Sequence, residues 1–127
     1  MTAMLNVRDL RAYYGQVQAL HGLEFGLDRG SMTTLLGANG AGKTTTLRAI
    51  CNMVRSTGAI EFEGTSLAGR STENIVRLGI AHVPQGRGTF ITMTVEENLQ
   101  LGAITRKDNA GTISDIERMY AHFPVLK

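Results

Sequence analysis

The residues best suited to chemistry in this chain are Gly37-Ala38-Asn39-Gly40-Ala41-Gly42-Lys43-Thr44, a glycine-rich run of the form G-x-x-x-x-G-K-[ST]. A polyphosphate tail concentrates several negative charges in a short span. A protein that holds one therefore needs many backbone N–H donors, one mobile cation and a metal-directing hydroxyl at a single place. Gly37, Gly40 and Gly42 have no Cβ to strike phosphate oxygens, and the amides opening the next helix add the positive end of its dipole. In this pattern Lys43 reaches the β- and γ-phosphates and the Thr44 hydroxyl holds Mg²⁺. The chemistry implied is binding of a nucleoside triphosphate.

The context that makes such a loop specific is a strand before it and a helix after it. Met32-Thr33-Thr34-Leu35-Leu36 is an apolar, β-branched run and predicts the strand; Leu47, Ile50, Cys51 and Val54 at i, i+3, i+4 and i+7 predict the helix opening at Lys43. Ahead of them, alternation over 4–10 and again over 17–27 predicts two half-buried strands, with Tyr13-Tyr14-Gly15 between. Behind them, Ala59–Glu63 reads as a short strand. A helix capped by Ser71 or Thr72 runs to Leu78, and Ile80–Val83 reads as a further strand closed by Pro84. Thr94-Val95-Glu96-Glu97 and Ser114-Asp115-Ile116-Glu117 are capping boxes that predict two more helix starts.

Composition narrows the class. At 127 residues the chain is one domain at most, and its 43% apolar content with 15 glycines fits an α/β protein rich in tight turns. A net charge of +2 with arginines scattered singly gives no basic stripe for nucleic acid. The single cysteine, Cys51, excludes a disulfide framework. The first residues carry no basic segment followed by an apolar core, so no signal peptide is expected, and no run approaches a membrane span. His21, His82 and His122 read as ordinary surface or core histidines, and Glu61, Glu63, Glu96 and Glu97 as solvated strand and cap residues.

Together with Tyr14-Gly15 and a strand ending Val83-Pro84-Gln85, the glycine-rich loop resembles the N-terminal half of an ATP-binding-cassette (ABC) ATPase. Within that family, four segments are similar to the LivF-like branch of the Liv-type subunits of branched-chain amino-acid importers. They are Gly37–Thr45, Leu78–Arg87, Met93–Leu99 and Asp115–Pro124. The chain departs from that branch's usual Glu, Arg and Pro at Gln85, Gly88 and Ile91, which leaves the solute open to related small molecules such as amides or urea.

The resemblance implies a three-layer, mainly parallel P-loop core over about 31–85. It also implies an antiparallel β layer over about 4–30, and a Q-loop with the start of a helical subdomain over about 85–127. It implies that Tyr14 stacks on adenine, with Tyr13 as the alternative. Nucleotide contacts run from Gly37 through Ala38, Asn39, Gly40, Ala41, Gly42, Lys43 and Thr44 to Thr45. Gln85 directs its amide oxygen to Mg²⁺ or to the attacking water, beside the charge stabilisation supplied by Lys43. Partners would be two membrane permeases, a second ATPase subunit and, indirectly, a solute-binding protein, with the subunit peripheral on the cytoplasmic face of the membrane. The family's Leu-Ser-Gly-Gly signature, its Asp-Glu strand end and its switch histidine do not occur in these residues. The resemblance places them after Lys127, along with the strand that flanks 32–36. The expectation is an ATP-binding piece without efficient hydrolysis. A non-transport ABC ATPase or another P-loop enzyme is the alternative; a basic groove would favour the first and a phosphate-acceptor pocket the second.

Overall fold

Alternation at the N-terminus becomes a meander. In a computed structural model describing residues 3–37, 42–86 and 88–127, strands β1 (Leu5–Tyr14) and β2 (Val17–Leu27) form an antiparallel pair joined at Gly15, whose φ is 59°. Helix α1 (Lys43–Ile50) follows, then β3 (Arg55–Phe62) and the two-residue β4 (Thr65–Ser66), giving one sheet in the order β2-β1-β3-β4, antiparallel throughout. Helix α2 (Thr72–Arg77) is capped by the Ser71 hydroxyl, which accepts from the Asn74 amide at 3.2 Å.

The chain divides into two compact units, Met1–His82 and Val83–Lys127. The core of the first is built from the inward faces of β1 (Leu5, Val7, Leu10, Ala12), with Leu20, Ala49, Ile50, Ile60, Leu67 and Ile75 packed on them. Leu10 and Ile75 are fully buried, and removing such a side chain from water stabilises by about 1.5–3 kcal/mol. The second unit holds α3 (Val95–Leu101), α4 (Asn109–His122) and a 3-10 turn (Pro124–Leu126). The Thr94 capping box forms as expected, the Thr94 hydroxyl accepting from the Glu97 amide at 3.1 Å.

Three expectations need correction. The run 32–36 forms no strand: Met32 is 96% exposed and Leu36 88%. Ile80–Val83 likewise stays outside any ladder. A strand exists only through its neighbour's hydrogen bonds, and no neighbour pairs with either run among the described residues. The mainly parallel sheet is thus absent from these residues, while the α/β class stands. The third correction concerns α4. It starts at Asn109 and not at Ser114, because the Asp108 carboxylate accepts from the Gly111 amide at 2.9 Å and caps the helix a turn and a half earlier. Arg106 pairs with Asp115 at 2.6 Å and holds that carboxyl below its usual range, which fastens the early start.

One irregularity sets the curvature of the sheet. The register of β1 shifts between Val7 and Leu10 against β2 and between Arg8 and Arg11 against β3, with Asp9 at φ 47°. Gly58 on β3 sits opposite at φ 102°, and a Cβ there would overlap the Asp9 carbonyl oxygen. Only glycine fits both the angle and the space. Gly58→Ala is expected to lower the unfolding free energy by roughly 2–4 kcal/mol. Gly64→Ala, at φ 81° with nothing near its missing Cβ, should cost about 1 kcal/mol. Urea denaturation of both variants checks this, and equal losses would refute the role of the bulge.

Candidate functional site

The first turn of α1 is where the glycine-rich loop meets the sheet. Gly42 caps the helix at φ 98° and ψ 11°, and a Cβ on it would lie 2.7 Å from Leu20 Cδ2 of β2. The residue must therefore be glycine for two separate reasons, its left-handed angle and its seat on Leu20. Its carbonyl accepts from the Thr46 amide at 2.8 Å and from the Thr46 hydroxyl at 2.7 Å, which locks the turn. Helices leave their opening N–H groups without intrahelical partners, and no acidic residue stands in this first turn to compensate them. The end of α1 is thus a positive pole that suits an anion.

Lys43 is half-buried and its Nζ donates to the Gly37 carbonyl at 2.5 Å, spanning the two ends of the loop. Among the described residues it forms no ion pair with a carboxylate. Thr44 is exposed, whereas Thr45 is buried. Ala38, Asn39, Gly40 and Ala41 lie outside the described residues.

Tyr14 comes to the same place from the other side. It ends β1 at 42% exposure, and its hydroxyl lies 3.1 Å from the Thr45 Oγ1. An open cavity of about 450 Å³ is lined by Tyr14, Val17, His21, Lys43, Thr44 and Thr45, among others. Two groups predicted from separate stretches of the first unit, an aromatic face and a lysine with a hydroxyl, therefore share one recess. Tyr13 takes another role: the Arg55 guanidinium sits 4.7 Å from its ring centre. Among the described residues no cluster of three or more His, Cys, Asp or Glu side chains could hold a metal. A Mg²⁺ fits here only as magnesium usually binds, through one hydroxyl, water and the oxygens of a phosphate. Thr44 offers an exposed hydroxyl at the recess.

Gln85 belongs to the second unit, on an exposed bend between Pro84 and Gly86. That unit carries its own groove of about 470 Å³, lined by Phe90, Ile91, Met93, Val95, Leu99 and Leu126 among others. Phe90 is 59% and Ile91 93% exposed. The groove keeps its shape through Asn98. The Asn98 Oδ1 accepts from the Phe90 amide at 2.9 Å, and Nδ2 donates to the carbonyls of Phe90 at 3.1 Å, Met93 at 3.4 Å and Thr94 at 2.8 Å.

Sequence reasoning missed Val17, His21 and Asn98. The signal for Val17 was present: a tight turn after Tyr14 makes Val17 its partner across the β1–β2 ladder. His21 follows at an even spacing on the same strand, four residues on.

The model of the ABC transporter family matches residues 20–125. The chain is 40% identical over 126 residues to the high-affinity branched-chain amino acid transport ATP-binding protein BraG of Pseudomonas aeruginosa, covering 98% of this chain and 53% of that protein. It is 32% identical over 125 residues to the probable branched-chain amino acid transport ATP-binding protein LivF of Archaeoglobus fulgidus, covering 98% and 52%. A solved structure of the ATP binding subunit of an ABC transporter superposes with a TM-score of 0.74 at 35% identity, over 84% of this chain and 45% of that one. The chain spans about half the length of the curated relatives it matches. With the family match running from Leu20 to Val125 and taking in α1, its glycine-rich approach and the Gln85 bend, this α/β chain belongs to the ABC transporter family.

Proposed function

We propose that this chain is the nucleotide-binding part of the ATPase subunit of an ABC importer, and that the recess between Tyr14 and the start of α1 holds Mg·ATP. The observation that carries the reading is the placement of Tyr14, Lys43 and Thr44 on one cavity. Tyr14 offers its ring to adenine. Gly37 to Thr45 surround the phosphates, with Lys43 leaving the Gly37 carbonyl to neutralise the β- and γ-oxygens. Thr44 serves the metal from the first unit, and the exposed amide of Gln85, on its bend in the second unit, has the chemistry to direct an oxygen to Mg²⁺ or to the attacking water. In the intact subunit, closure of two such sites over ATP moves the membrane partners, and hydrolysis resets them. The names of BraG and LivF support branched-chain amino acids, or a related small solute, as the cargo.

The partners in this reading are two permeases, a second ATPase subunit and a solute-binding protein, with the subunit peripheral on the cytoplasmic side of the membrane. No described helix is long and apolar enough to cross a bilayer, so attachment runs through a partner. The groove at Phe90, Ile91 and Met93 offers the permease an apolar seat.

Binding and turnover separate in these residues. Phosphoryl transfer needs a positioned water and a carboxylate for the metal as well as the loop, and among the described residues no carboxylate lines the recess. Calorimetric titration with Mg·ATP is expected to show binding that Lys43→Ala weakens about 30- to 100-fold, the loss of one strong charge-assisted contact. An affinity within threefold of the unmodified chain would overturn the site. Phosphate release by the purified 127-residue chain should stay at background. Lys43-dependent release above it would show that a water-positioning group has gone unrecognised.

A further inference from the structure

Tyr14 is held by more than its place at a strand end. Two other elements converge on it. From α1, the Thr45 hydroxyl lies 3.1 Å from the phenol oxygen, and one turn on, the Arg48 guanidinium carbon lies 5.9 Å from the ring centre. From β3, Arg55 donates to the Gly15 carbonyl at 2.8 Å, in the turn directly after Tyr14. The same guanidinium stands over the neighbouring Tyr13 ring at 4.7 Å. Arg48 does not line the recess, whereas Tyr14 does. Arg48 thus stands over the Tyr14 ring without itself bordering the recess.

We infer that Arg48 and Arg55 are positioning residues that fix the Tyr14 ring as a flat platform for the nucleobase, Arg48 by backing the ring and Arg55 by clamping the turn that carries it. The inference rests on the nucleotide-binding reading above and adds to it a split between base recognition and phosphate recognition. A ring free to change rotamer loses conformational entropy each time a base stacks on it; one already held loses little. A cation near the ring adds attraction through the quadrupole and keeps it from turning away. Neither arginine is part of the phosphate loop, so the benefit falls on ligands that possess a base.

The test compares Mg·ATP with magnesium tripolyphosphate, which has the charge and no base, by calorimetry on the 127-residue chain. Arg48→Gln and Arg55→Gln are each expected to weaken ATP about three- to tenfold while tripolyphosphate stays within twofold. Arg48→Lys and Arg55→Lys should recover part of the loss, since an ammonium keeps the charge but not the planar fork. In a Tyr14→Leu background the arginine substitutions should no longer matter, because the platform they hold is gone. Parallel losses for both ligands, unchanged ATP affinity, or full arginine effects without Tyr14 would each overturn the inference. Failure of the unmodified chain to bind either ligand would instead bring down the underlying site, and is read separately from the variants.

Discussion

The seat of Gly42 on Leu20 is the contact on which the site depends. It brings the N-terminus of α1 against β2 with only the Leu20 side chain between them, so the helix pole lies near the strand ends that carry Tyr14 and Val17. A single methyl there would stand 2.7 Å from Leu20 Cδ2, roughly 1 Å inside ordinary carbon–carbon contact, and would also disfavour the left-handed angle that starts the helix. Packing, backbone conformation and electrostatics thus meet at one atom-sized space. The buried wall of β1 supports that space, since Leu10 and Ala12 on the strand that bears the tyrosine are fully buried in the core.

The two units divide the labour between forces of different range. In the first, the site draws on charge concentrated at a helix end and one lysine, which acts on any phosphate. In the second, an apolar groove acts only on a surface of fitting shape.

Local chemistry was readable in the residues and distant pairing was not. Thr94 and Ser71 cap the helices they were expected to cap because a cap needs only the next three residues. Ser114 did not, because Asp108 offered a carboxylate to the same helix earlier and Arg106 held Asp115 in place. The runs 32–36 and 80–83 have strand composition yet no ladder, since pairing is decided by whatever lies alongside. The glycine-rich loop carries its expectation of a triphosphate through spacing alone. The contact of Tyr14 with Thr45, 31 residues apart in sequence, could be known only from the fold.

The side chain of Asn98 has a consequence for how the groove could be lost. Its oxygen faces a donor and its nitrogen faces three carbonyl oxygens. Exchange of that nitrogen for oxygen, the outcome of ordinary deamidation, would set a negative acceptor against three others with no change in size. Chemical ageing at one atom would then open the Phe90–Thr94 segment while leaving the helix beside it and every apolar side chain intact.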